Sequence, residues 1–470
     1  MINRLMMATC AFVAGLTVQA STWTGAVGDD WTAPGNWNGG VPSAGDVVEI
    51  PATQVLPKIP AGRWPATGAY VSFSVAEGAT VTCLGDTTAV NETSGGTESY
   101  PHGMGVTIVA ESADIAGNLS AKGQGFKGVK TVADMNLEYP SHGGTAPRWS
   151  KTGYGRLSAP TALGTCQGTN PGGGAIALKI SGELSLSGTI DADHCGQMKS
   201  AGGSVWLQAG KFSGGGTVSA NGYAGNFRPG ASGRIAIEAV EDTFDGTVSV
   251  WGIQTSQGEG NNDYYYSAPG TIFRNTVANV DAFGWEEGAI ALSSAYSRGS
   301  ATPDDFPEVK PCYEGITKAN PIDEAMVVTR TVTAWDAADG LFAWTEQCGF
   351  KYKAGFIPNT VTYSLKGLRA GQACAVSVNG LSTGYAADAE GVVTFAVELT
   401  GAAVQVEVDC SPSAKIVVLS PVTADGKDFT LSADVVELSG VSAEATLYWD
   451  TEDRGTEAAV WARSVRRPAH

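Results

Sequence analysis

Between residues 105 and 276 the chain alternates apolar and polar residues in short runs, each led by a glycine. The runs are Gly105-VTIVAESADI, Gly174-AIALKI, Gly203-SVWLQA, Gly233-RIAIEA and Gly270-TIFRN. Between them stand Asn118-LSAKG, Gly188-TIDAD, Gly216-TVSAN and Gly246-TVSVW. Alternation of period two marks a half-buried strand, because successive side chains leave opposite faces of an extended backbone. The shorter phrases recur 28 residues apart from Gly188 to Gly216 and 30 apart from Gly216 to Gly246. A unit of that size cannot bury its own apolar face, so neighbouring units must stack. A propeller blade needs about 40 residues and four strands, whereas this unit offers two or three short ones. The pattern therefore predicts an all-β chain: a right-handed parallel β-helix followed by small antiparallel β-sandwich domains. In the coil Ile176, Leu178 and Ile180 point inward, with Val205, Leu207, Ile235 and Ile237 stacked beyond them. Ala175, Ala177 and Lys179 point out, and the glycines are expected to supply corners of positive φ.

Two excursions interrupt the repeat, Lys127 to Pro171 and Ile253 to Pro269 ("IQTSQGEGNNDYYYSAP"). Beyond about Asn275 glycine thins, and "TVTYSLKGLRAGQACAVSVNG" with its continuation to Val408 reads as short strands between turn residues, hence a sandwich. The expected divisions are an export signal over 1–20, a Trp-rich cap over 21–68, the β-helix over 69–275, a β-sandwich region over 276–410 and a partial module over 411–470. Trp23, Trp31 and Trp37 are expected to plug the open end of the coil, where a bare terminal rung would expose apolar edges and unpaired backbone.

Composition sharpens this picture. The 470 residues include 62 glycines and only 16% charged residues, against about 25% charged in an average globular chain. That balance favours turns over helix. The first twenty residues carry Arg4, an apolar run from Leu5 to Val18 and small residues ending at Ala20, the layout of a cleaved secretory signal. No later stretch reaches the roughly 18 apolar residues of a membrane helix, so the expected location is secreted, extracellular or at the cell surface. A net charge of −18 argues against nucleic acid or an anionic polysaccharide as a partner over the whole surface. After the signal come Cys83, Cys166, Cys195, Cys312, Cys348, Cys374 and Cys410. Export permits disulfides, and Cys166–Cys195, Cys312–Cys348 and Cys374–Cys410 are the pairs considered, with connectivity left open. With four histidines and no CxxC, no structural zinc site is expected.

Candidate chemistry is sparse. Asp191, Asp193, His194 and Lys199 form the densest titratable cluster, and paired carboxylates can divide acid and base roles. In the repeat, however, Asp191 aligns with Ser120, Ser219 and Ser249, and Asp193 with Lys122, Asn221 and Trp251, which reads as ordinary residues approaching a turn. His102 in "YPHGMG" and His142 in "YPSHGG" have the composition of loops. Tyr264, Tyr265 and Tyr266, beside Asn262 and Asp263, offer flat rings with polar tips suited to sugar or protein recognition. Glu259 with Asp263 could ligate Ca²⁺, the one cofactor considered.

The segment "STWTGAVGDDWTAPGNWNGGVPSAGDVVEI" resembles the opening of large exported bacterial β-helix proteins of the autotransporter-like type, common in planctomycete and verrucomicrobial groups. The likeness runs through Trp23, Gly25, Trp31, Asn36, Trp37, Pro42 and Asp46. The glycine-rich rungs from "YGRLSAPTALGT" to "GRIAIEA" are similar to those of the same proteins, and together these stretches cover about 21–275. "DHCGQMKSAGG" and "NFRPGASG" depart from the uninterrupted glycine runs of that family. "ATLYWDTEDRGTEAAVWARSV" resembles the first half of a fibronectin type III-like module, and its sixty residues from Ser411 suggest truncation against about 100 for such a sandwich. The likeness bears on architecture and not on activity; the export signal, the repeat and the lack of a catalytic constellation lead to the expectation of a structural or adhesin-type surface protein, with polysaccharide or other cell-surface components as partners. A polysaccharide lyase or glycoside hydrolase of the β-helix type is the alternative. The Gly-His-Gly, Asn-x-Asp and Asp-Asp combination of polygalacturonase-like hydrolases does not occur.

Overall fold

A computed structural model of the chain describes residues 19–91, 96–97, 101–128, 142–143, 154–166, 170–196, 200–223, 230–251, 254–255, 265–266, 270–297, 326–350, 359–411, 415–418, 433–437, 444–449 and 463–468. Almost all of the expected export signal lies outside them. The chain is all-β and winds as a parallel β-helix. Each turn lays one long strand into a first sheet and one short strand into a second. The long strands Val106–Ile115, Ala175–Leu186, Ser204–Ser213, Arg234–Asp242 and Thr271–Thr276 pair in parallel, each with the next. Asn118–Ser120, Thr189–Asp191, Thr217–Ser219 and Thr247–Ser249 do the same in the second sheet.

In-register pairing sets like beside like. Ile176 lies beside Val205 and Val205 beside Ile235, while Leu178, Leu207 and Ile237 form the row above. These six are at most 1% exposed, and Leu119, Ile190 and Val218 from the second sheet complete the same core. Burying each such side chain contributes about 1.5–3 kcal/mol. At the N-terminal end the sheet continues through Tyr70–Val75, Val47–Ile50 and Ala20–Trp23. Trp23, Trp31 and Trp37 are buried there. Trp37 meets Trp31 edge to face with centroids 4.6 Å apart, and its Nε1–H donates to the Trp31 carbonyl at 2.8 Å.

The corner glycines work differently from the expectation. Gly174, Gly203, Gly233 and Gly270 precede the long strands, and none has a positive φ. A Cβ on Gly203 would instead stand 1.8 Å from the Gly174 carbonyl oxygen, and one on Gly233 1.9 Å from that of Gly203. Rungs about 4.8 Å apart stack corner upon corner, and only a residue without a side chain fits between them.

A second departure concerns the outward row. Ala175 and Ala177 do leave the opposite face from Ile176, but they are 4% and 3% exposed, because that face is covered in turn. Phe126, Tyr154, Ala162 and Leu163, from the first excursion and the residues before it, pack over Ala175. Farther along, the cover is a three-stranded antiparallel sheet of Ala291–Ser297, Asn359–Lys366 and Val393–Leu399. The coil's first sheet does not end at Thr276. Met326–Asp336 adds in parallel, and Leu341–Phe350, Val404–Asp409, Ala373–Val378 and Leu381–Ala386 follow antiparallel. The sandwich and the coil thus share a sheet, and Phe273, Val328, Trp344, Tyr363 and Phe395 pack between its outer face and the covering sheet.

Cys374 and Cys410 form a disulfide within the sandwich. Cys166 and Cys195 are not joined to each other: the Ser200 hydroxyl lies 3.5 Å from the buried Cys166 sulfur, whereas Cys195 is exposed. Cys312 lies outside the described residues. In the C-terminal region Lys415–Val418 pairs with Ala433–Glu437, and Glu444–Trp449 with Arg463–Pro468, both antiparallel.

One row on the covered face is polar. Lys179, Gln208, Glu238, Asn275, Arg330 and Glu346 lie side by side across six strands. The Glu238 carboxylate accepts from Trp206 Nε1 at 3.0 Å, Gln208 Nε2 at 2.9 Å and Asn275 Nδ2 at 2.8 Å. Arg330 closes the row on Glu346, with Nε and Nη2 each 2.6 Å from Oε2. Nη2 also reaches Ser294 Oγ at 2.9 Å and the Tyr296 hydroxyl at 3.1 Å. The Tyr296 hydroxyl in turn donates to Glu346 Oε1 at 2.9 Å.

Candidate functional site

The acid cluster sits where the short strands turn back toward the long ones. Parallel register places Ser120, Asp191, Ser219 and Ser249 in one line, so the alignment read from the repeat is a physical row. Asp191 accepts a hydrogen bond from the Ser120 hydroxyl of the preceding rung. Burial pushes its carboxyl up and neighbouring Asp193 adds to this, while the Ser120 bond and Lys122 pull the other way.

Two residues on, Lys122, Asp193, Asn221 and Trp251 form the next line. It is held by Gly123 N–H on the Asp193 carbonyl at 3.0 Å and His194 N–H on the Asn221 carbonyl at 3.0 Å. Asp193 Oδ1 accepts the Asn221 backbone N–H at 2.6 Å. Asn221 Oδ1 in turn accepts the Ser249 hydroxyl at 2.8 Å and the Trp251 N–H at 2.9 Å. His194 places Nδ1 3.3 Å from the Asn221 carbonyl oxygen and meets Tyr223 edge-on at 5.5 Å. Burial lowers the pKa of its ring. The Asp191, Asp193, Asn221 and His194 side chains are each engaged by an adjoining rung, and the charges acting on Asp191 and His194 are Asp193 and Lys122. Lys199 lies outside the described residues.

The second excursion is closed at its base by Gln254–Thr255 pairing antiparallel with Tyr265–Tyr266. Tyr264, Asn262, Asp263 and Glu259 lie outside the described residues. Sequence reasoning passed over Trp251, which is 49% exposed. The signal was present: an aromatic stands where the sister repeats carry Lys, Asp and Asn.

The two histidines are interior. His142 stacks on Tyr154 at 4.6 Å, and His102 lies 5.3 Å from the same ring. His142 Nδ1 is 2.8 Å from the Gly202 carbonyl oxygen. Burial, the Arg234 guanidinium and His102 together push the His142 imidazole down to about 3, against backbone contacts to Gly202 and Gly203 that favour its charge. An unfolded histidine titrates near 6.5, so the unfolded state binds the extra proton first. This contribution to stability is complete above about pH 6.5 and is lost progressively as pH falls toward 3. Between pH 7 and pH 4 the urea midpoint of the wild type is expected to drop by an amount worth about 3 kcal/mol from this group. In His142→Gln the difference between the two pH values should shrink by that share, and an unchanged difference would contradict the assignment.

On the covered face, a cleft of about 260 Å³ opens between Asn91, Met104, Thr107, Thr161 and Ala177. Thr161 and Asn91 are hydrogen-bonded side chain to side chain at 3.0 Å, and the lining carries no acid, base or thiol. Among the described residues no three His, Cys, Asp or Glu side chains gather as metal ligands, and no helix is long and apolar enough to cross a membrane.

Fold and surface together define a glycine-cornered parallel β-helix joined through a shared sheet to a β-sandwich. Comparison with protein-family models, curated proteins and solved structures gives no match.

Proposed function

We propose that this is an exported, structural or adhesin-type β-helix protein of the cell surface, autotransporter-like as its sequence resembles, which presents binding groups at fixed spacing and performs no chemistry. The observation that carries the reading is the engagement of Asp191 and Asp193. Each acid is hydrogen-bonded to a neighbouring rung, as a corner residue would be, and fold by itself implies no activity. The ligand class is polysaccharide or another surface component, taken by flank loops that include Tyr264, Tyr265, Tyr266, Asn262 and Asp263. One observation favours an extracellular polysaccharide lyase or glycosidase instead: Asp191 has a raised carboxyl beside a second acid, a feature of general acids. A glycan array, run beside an assay for new reducing ends and unsaturated products on mixed polysaccharides, separates the two. Binding without turnover is expected. Turnover that disappears in Asp191→Asn and Asp193→Asn would overturn the proposal.

A further inference from the structure

We infer that the flank bearing Asp193, Asn221 and Trp251 binds a neutral polysaccharide chain laid along the coil axis, with the Trp251 indole as its stacking platform. The inference rests on the surface reading above and adds a site and a ligand class to it.

Among the described residues Trp251 is the only aromatic side chain in the set of large, well-exposed apolar ones. An indole left in water without a partner is unfavourable, and its placement is not loose. The Trp251 N–H is held by Asn221 Oδ1 at 2.9 Å, and its carbonyl accepts the hydroxyl of fully buried Ser232. That hydroxyl also accepts the Gly222 N–H at 3.0 Å. The backbone under the ring is thereby fixed on both sides before any ligand arrives, which lowers the entropy cost of binding.

The row supplies the rest. Trp251, Asn221, Asp193 and Lys122 come from successive rungs, spaced about 4.8 Å apart, close to the advance of one pyranose along an extended chain. Asn221 uses its oxygen for Ser249 and Trp251 and its backbone N–H for Asp193 Oδ1, which leaves its Nδ2 donors for a ligand. Asp193 likewise keeps Oδ2 as an acceptor. A sugar ring offers an apolar face to an indole and hydroxyls to amide and carboxylate groups, so both halves of the site are matched. Charge narrows the class: with Asp191 and Asp193 on the flank and −18 over the chain, an acidic glycan is repelled and a neutral one is not.

The test is retardation of the native protein in gels containing soluble mixed-linkage β-glucan, arabinoxylan or galactomannan, with polygalacturonate as the acidic comparison. At least one neutral polysaccharide is expected to retard the wild type. Trp251→Ala should weaken that retardation about tenfold, Trp251→Phe should keep most of it, and Leu381→Ala, at an exposed apolar residue of the sandwich, should leave it unchanged. Unaltered melting of Trp251→Ala shows that the fold is intact. Equal retardation of Trp251→Ala and wild type overturns the inference. Retardation that is kept in Trp251→Ala and lost when Tyr265→Ala is combined with Tyr266→Ala places the ligand on the inserted hairpin, so that the inference fails while the surface reading stands. Retardation by polygalacturonate alone, or by nothing, also overturns it, and the product assay above then decides the surface reading separately. A change of oligomeric mass in Trp251→Ala would identify the indole as a contact with a second copy and overturn the inference as well.

Discussion

Gly203→Ala is expected to lower unfolding stability by roughly 3–5 kcal/mol, at the upper end for a single substitution. The added carbon would stand 1.8 Å from the Gly174 carbonyl oxygen and 2.7 Å from the Gly173 carbonyl carbon. Both obstacles are backbone, so no side-chain rotation relieves the contact. To make room, one rung must lift away from the next, which stretches the parallel ladder from Ser204 to Ser213 against its neighbour and opens the packing of Ile176 on Val205. Gly384→Ala is the control. It lies on the exposed strand Leu381–Ala386, its φ is not positive, and nothing stands within 4 Å of an added Cβ. That variant should be neutral or slightly stabilising, since alanine loses less backbone freedom on ordering than glycine. Urea denaturation followed by tryptophan fluorescence reads both. Equal midpoints for Gly203→Ala and Gly384→Ala would show that the rungs are not in the contact described.

The second large effect is expected at the junction. Arg330→Met should destabilise the protein by about 3–5 kcal/mol, because it leaves the Glu346 carboxylate charged and buried without its cation. Both residues are nearly inaccessible, at 3% and 1% exposure, and the guanidinium also lies over the Phe273 ring at 5.0 Å and the Tyr363 ring at 5.5 Å. Burial opposes the Arg330 charge, yet Glu346 holds its pKa above the usual arginine value. The combined replacement Arg330→Met with Glu346→Leu should recover a substantial part of the loss, since a buried pair is costlier to break than to replace by apolar groups. The Tyr296 and Ser294 hydroxyls lose partners in that variant, so recovery should be incomplete. Differential scanning calorimetry tests the ordering, and a double variant less stable than the single would contradict it.

The coil was legible because its cause is local. Period-two alternation placed Ile176, Leu178 and Ile180 inside, and the repeat placed Asp191 beside Ser120 and Ser219, since parallel stacking turns sequence alignment into spatial register. What escaped reading depends on what a residue meets rather than on what it is. Ala175 looks like an outward residue, and only the packing of Tyr154 and Leu163 over it, from the preceding excursion, buries it. The corner glycines suggest positive φ, and only the preceding rung shows that volume is the constraint. The polar row from Lys179 to Glu346 joins residues drawn from separate repeats and from beyond them, and no short-range pattern connects Asn275 to Arg330. At the candidate site the repeat demoted Asp191 and Asp193, but the same comparison should have promoted Trp251, the one aromatic in a row otherwise made of Lys122, Asp193 and Asn221.

The shared sheet has a further consequence for assembly. Parallel rungs are a template: a coil whose last long strand showed a bare edge could accept the first rung of another molecule and grow into a fibre. Here the strand in that seat, Met326–Asp336, turns back on itself, and every later strand of the sheet runs antiparallel to its neighbour. Reversing direction breaks the repeat that polymerisation would need, and at the opposite edge Trp37–Asn38 pairs antiparallel with Ala20–Trp23. In its long sheet the coil therefore carries its own terminators, and its length is set within one chain.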